Sequence, residues 1–182
     1  MTFRILLAST TALALAACSA ETDTVEAPDA TDTLAEATPA TDTSTPQGFV
    51  DTLAASDQYE IEAGRLAQEM GTSQAVKDFG AMMVEQHTAS SDKLKAAVSQ
   101  VGDSLRVAPT LTSLQQGQIE QLRTAGANFD AMYAQQQVNA HESALELLQT
   151  QAQAGTVEPL RTFAAEAATT VEAHLEQARE LP

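Results

Sequence analysis

The chain has three histidines, and each falls inside the apolar stripe of a different predicted helix. Imidazole is the side chain that moves protons near neutral pH and the one that most often binds transition metals. His87 is in register with Val76, Gly80, Met83, Leu94, Val98 and Val101. His141 is in register with Ala134, Val138, Leu145 and Leu148, and His174 with Ala167, Val171, Ala178 and Leu181. Steps of three and four put such residues on one helix face. All three rings are therefore expected in a helical interior, where a polar atom without a partner costs about 1–3 kcal/mol. They need partners.

Three kinds of chemistry meet that need. The histidines can be hydrogen-bonded across helices, with Glu60, Glu62, Glu142, Tyr59 and Tyr133 as the available partners. They can hold a metal, with Glu60, His87, His141 and His174 as ligands and Glu62, Tyr133 and Glu142 behind them, a set suited to zinc, copper or iron. They can also form a pH-responsive cluster. A ferritin-type di-iron centre is disfavoured, because it uses two Glu-x-x-His motifs and the residues three before the histidines are Val84, Val138 and Val171. A mononuclear or transient site survives that objection.

No catalytic residue is assigned. Ser90, Ser91, Ser99 and Ser113 lack a Gly-x-Ser-x-Gly turn or a comparable nucleophile setting, and Met82 and Met83 read as core filling. Gln135, Gln136 and Gln137 read as a solvated helix face. Glu172 and Glu176, near Arg179, read as ordinary surface pairs.

Positioning the histidines falls to helices, since no stretch alternates with period two for long enough to make a strand. The first long helix is expected from about Gly48 to Met70, stopped by Gly71, and the second from Thr72 or Ser73 to Val101 before Gly102. Thr112 to Gln115 is a capping-box pattern that opens a short helix to about Thr124. The third long helix is expected over Phe129 to Ala154 and the fourth from Glu158 and Pro159 to Leu181. The short turns make two antiparallel hairpins, and the long segment between them implies one crossover along the whole bundle. A faint internal repeat, Val76 to Ala81 against Leu160 to Ala165, agrees with two hairpins. At ~1.5 Å per residue, Glu60 and His87 lie at similar heights about the first turn, and His141 and His174 about the second.

Ahead of this domain, one basic residue, a short apolar run and small residues in Met1 to Ala17 read as a secretory signal. The run ends Leu15-Ala16-Ala17-Cys18, the pattern of a bacterial lipoprotein lipobox, and Cys18 is the only cysteine in the chain. Acylation of Cys18, with palmitate among the chains, would anchor the protein; Ser19 after it matches outer-membrane sorting, facing the periplasm. Residues 18–47 hold seven acids and no Lys or Arg, which predicts a disordered tether. Loss of Arg4 with the signal takes the formal charge from −16 to −17. So acidic a chain has no field to gather phosphates, which excludes nucleic acid as a partner. The membrane through the anchor, an envelope protein or a second copy are the partners that remain.

Residues Phe49 to Pro182 resemble the bacterial family called Domain of Unknown Function 4142. The resemblance is carried by Glu60 to Ala67, Met83 to Thr88, Phe129 to Tyr133, Val138 to Glu142 and Glu172 to Leu175. It implies an exported protein with a ferritin-like four-helix bundle and names no reaction. One position departs: where the family usually has Asp before the second helix's histidine, this chain has Gln86. Two functions fit, a non-enzymatic envelope or binding module and a metal-binding protein. If Cys18 is the anchor, Cys18→Ser will move the protein from the membrane to the soluble fraction on ultracentrifugation; continued membrane association would count against the anchor.

Overall fold

The computed structural model describes residues 42–182, part of a unit spanning Pro39–Pro182. The signal at 1–17, Cys18 and most of the acidic stretch lie outside the described residues. Five α-helices account for the fold, with no strand among the described residues: α1 Pro46–Met70, α2 Gln74–Val101, α3 Ser113–Thr124, α4 Phe129–Ala154 and α5 Glu158–Ala178. A short 3-10 turn, Gly126–Asn128, leads into α4. No described helix is long and apolar enough to cross a membrane.

The helix starts follow local chemistry. Ser73 accepts from the backbone of Val76, and Thr112 and Gln115 exchange the two bonds of a capping box. At α1 the start falls earlier than Gly48. Thr45 accepts from Gly48 N and Pro46 occupies the first turn, where its missing N–H is no loss. Gln47 is thus helical and not part of the acidic stretch. Its side-chain amide exchanges two bonds with the backbone of Arg106, at 2.8 and 3.0 Å, which ties the α2–α4 connection to the start of α1. At the other end of the chain, α5 stops at Ala178 and not Leu181.

The apolar residues form two clusters, and their membership gives the helix directions. One joins Phe49 and Leu53 of α1, Leu94 and Val98 of α2, Leu148 of α4 and Leu160 and Phe163 of α5. The other joins Ala63 and Ala67, Val76 and Met83, Phe129 and Tyr133, and Ala178 of the same four helices. The beginnings of α1 and α5 thus share a cluster with the ends of α2 and α4. α1 and α5 run one way, α2 and α4 the other. The connection from α2 to α4 must therefore travel the length of the molecule, as its length predicts. Leu105 and Val107 pack on the first cluster, and Leu111, Ile119 and Leu122 belong with the second.

Two contacts fix the helices that carry the site. Asp130, in the first turn of α4, accepts from Thr72 N, Thr72 Oγ1 and Ser73 N at 2.8, 2.6 and 2.8 Å, holding α4 to the α1–α2 turn. Its slight burial opposes ionisation, but these bonds prevail and hold its carboxyl below the usual carboxylate range. Gly64 and Gly80 let α1 and α2 meet backbone to backbone. A Cβ on Gly80 would stand 2.6 Å from Ala67 Cβ and 2.7 Å from Gly64 O. Gly117 of α3, by contrast, has nothing within 4 Å of such a Cβ.

The same substitution should therefore have opposite signs at the two glycines. Gly80→Ala is expected to destabilise by about 1–3 kcal/mol through overpacking, and Gly117→Ala to stabilise by about 0.5–1 kcal/mol through helix propensity. Urea unfolding checks both, and equal effects would contradict the close crossing.

Candidate metal centre

Between the two apolar clusters lies a buried polar layer. It contains Asp57 and Glu60 of α1, His87 of α2, Gln137 and His141 of α4 and His174 of α5. The three histidines are 5 %, 1 % and 2 % exposed in chain order, so solvent cannot serve their ring nitrogens. Their ring centroids stand 5.4–5.7 Å apart, each pair in contact.

Each ring has one nitrogen paired and one free. His87 Nδ1 lies 2.8 Å from Asp57 Oδ1, whose other oxygen accepts from Ser91 Oγ at 3.2 Å. His141 Nδ1 lies 2.8 Å from the backbone oxygen of Gln137, one turn earlier. His174 Nε2 lies 2.7 Å from Gln86 Oε1. An imidazole N–H donating to each of these oxygens sets the tautomer. The remaining atoms, His87 Nε2, His141 Nε2 and His174 Nδ1, are buried and have no hydrogen-bond partner. One nitrogen from each ring lies within 4.8 Å of the others.

Electrostatics differs among the three rings. Burial would lower the His87 pKa, yet the bond to Asp57 and the charges of Glu60 and Asp57 raise it. His141 is lowered, first by burial, with Glu60 opposing and His87 adding to the fall. Burial pushes His174 down to about 3, helped by the charges of His87 and His141. The layer thus keeps His141 and His174 neutral, the form in which imidazole binds a metal, while at His87, where Asp57 and Glu60 favour the protonated ring, a metal would have to displace a proton.

The expected ligands and their supports separate in space. His87, His141 and His174 come together. Glu60 is in the layer, but its Oε1 is 4.0 Å from His141 Nδ1, the nitrogen already bonded to Gln137, and its Oε2 has no partner. Tyr133 is buried in the layer's apolar flank, stacked on Phe129 and edge-on to Phe79, with its hydroxyl unpartnered. Burial, then Glu60 and Tyr59, raises its pKa well above the usual value.

Glu62 and Glu142 are not among the histidines' bonded partners. Glu62 accepts from Gln58 one turn earlier, and Glu142 pairs with Arg179, just past the end of α5, at 2.8 Å on the surface. Arg179 therefore pairs across helices and not with Glu172 or Glu176. Tyr59, another expected partner, donates to Gln136 at 2.9 Å. Gln136 and Gln137 are buried, not on a solvated face. Tyr59 and Gln121 engage Gln136, and His141 takes the backbone oxygen of Gln137.

The actual supports, Asp57 and Gln86, were not singled out as partners by residue spacing. Asp57 had a signal: it and His87 are 30 residues apart, centred on Thr72 in the tight turn. Equal arms about a turn place two residues at one height. Gln86 stands where the resembled family usually has Asp, and here its amide oxygen serves His174.

These features define the class: an all-helical protein whose four long helices enclose a buried three-histidine cluster. The family model described as Domain of unknown function (DUF4142) matches residues 30–181, and the chain belongs to that family. No curated protein and no solved structure matches the chain.

Removing Asp57 should show how much the layer depends on it. Asp57→Ala leaves a buried N–H of His87 without an acceptor and is expected to destabilise by about 1–3 kcal/mol. Ser91→Ala gives up only a long bond at a half-buried site and should cost less. Urea unfolding of the two variants provides the comparison.

Proposed function

We propose that this chain is an exported, lipid-anchored protein with a ferritin-like helical domain that binds one first-row transition-metal ion through His87, His141 and His174. The observation that carries the reading is the pairing pattern. Every ring has one nitrogen bonded to an oxygen and the other buried without a partner. Such outer acceptors orient a metal-binding imidazole and raise its basicity. Histidines serving only as hydrogen-bonded core would place both nitrogens on partners.

The donor set fits the ion. Three imidazoles suit zinc, copper or iron, with bonds of about 2.0–2.1 Å to zinc. From separations of at most 4.8 Å, each nitrogen need move inward by less than about 1 Å to reach such bonds. Asp57 holds His87, Gln86 holds His174, and Glu60 supplies negative charge beside His141. We assign Glu60 to that supporting role and not to the ligand set. Two antiparallel hairpins joined by a full-length crossover support the ferritin-like reading, and the valines three before each histidine leave no place for the di-iron carboxylates.

Metal analysis of the full chain, purified without chelator or histidine tag, should find close to one equivalent of a single metal. His141→Ala is expected to abolish it. Asp57→Asn should retain one site but weaken it by about 10- to 100-fold. Substoichiometric, mixed metal content that His141→Ala leaves unchanged would remove this reading.

A further inference from the structure

One cavity, about 210 Å³ in volume, has His87 and His174 in its wall and is lined by residues from α1, α2, α4 and α5. Leu53, Leu148, Phe163 and Val171 give it an apolar side, while Ser56, Asp57, Gln86 and Ser90 also line it. Exposed Lys93, Glu166 and Thr170 are also part of its lining. The volume exceeds the ~150 Å³ of an apolar protein cavity that takes up benzene, and is far beyond the ~30 Å³ share of a single water. A molecule of about six heavy atoms fits, and it would lie against two of the three imidazoles.

Among the described residues, no fourth histidine, cysteine or carboxylate joins the three-histidine set. Three protein ligands with a position left for an outside molecule is the pattern of working zinc sites, whereas structural sites close with four. Charge narrows the class of that molecule. Asp57 is bonded to His87 and Glu60 stands 4.0 Å from His141, so two carboxylates already balance a divalent ion. Lys93 and Glu166 of the lining offset one another, so a further anion would add charge beside Asp57 in the cavity wall, while a neutral donor would not.

We propose that this cavity is the binding pocket for a small, uncharged, mostly apolar molecule bearing a single nitrogen or oxygen donor, which completes the coordination of the metal. The inference rests on the metal reading above. Its selectivity comes from Leu53, Phe163 and Val171 for the body of the molecule and from the balanced charge of the layer for its head.

Cobalt(II) and pyridine test it on the full chain. Cobalt reports its coordination through visible absorption, and pyridine is a neutral, benzene-sized ring with one donor nitrogen. Pyridine should change the cobalt bands saturably, at a concentration at least tenfold below that needed for acetate. Ala167→Phe fills the cavity and should raise the pyridine requirement at least tenfold, with cobalt stoichiometry and the ligand-free spectrum unchanged. Ala144→Leu, from another wall, gives a second variant should the first fail to fold. Acetate acting as well as pyridine, or filled variants responding like the parent, would overturn the pocket while leaving the metal reading intact. Failure of the parent to take up cobalt at all would overturn both.

Discussion

Three buried imidazole nitrogens, one from each ring and none with a partner, are the constraint on which the remainder of this structure turns. With Nδ1 of His87 and His141 and Nε2 of His174 committed to oxygen acceptors, the opposite nitrogens of the neutral rings can only accept. Acceptors do not satisfy one another. Left so, each costs about 1–3 kcal/mol, in a molecule whose whole stability is of order 5–15 kcal/mol. A cation at the centre turns the same three dipoles from mutually repelling to jointly attractive.

The fold meets this constraint by placing the polar layer between two apolar clusters, where neither end of the molecule can flood it. Side chains of α1, α2, α4 and α5 all enter the layer, so it fixes the height of each helix relative to the others. Sliding any one by a turn, about 5.4 Å, would break a histidine bond and push an apolar residue into its place. The Gly64–Gly80 crossing and the Asp130 bonds act on the same registers from outside the layer. Since α2 and α4 run in the same direction, the crossover with α3 is a geometric requirement and not an embellishment. The capping box at Thr112 and the Gln47–Arg106 exchange are local devices that hold its course.

Much of this was legible in the amino-acid order because helical periodicity is a short-range property. The stripes of Val76, Met83 and Val98, or of Val138 and Leu148, announce both the helices and the inward rings among them. Cap residues such as Ser73 and Thr112 carry their own hydrogen-bond geometry. What stayed hidden depends on distances across helices. Glu62 and Glu142 share helices with site residues, yet each meets another partner, Gln58 in one case and Arg179 in the other. Gln136 and Gln137 look like surface by composition, but burial of an amide is decided by whether Tyr59 and Gln121 approach, which no local pattern states.

The placing of the carboxylates has a consequence for the chemistry available. In a di-iron protein they bind the metals directly, and their negative charge favours high oxidation states. Here valines occupy those positions, and Asp57 and Glu60 stand on the far side of the imidazoles from the centre. Their charge is felt through the rings, so an ion bound there would keep neutral nitrogen donors and the soft-to-borderline character they confer. The hydrophobic shell above and below then limits solvent access, which is the other lever by which a protein sets a metal's properties. On the proposed reading, one layer separates the two tasks that ferritin-type sites combine in a single residue: imidazoles would provide the bonds, and carboxylates behind them the balancing charge.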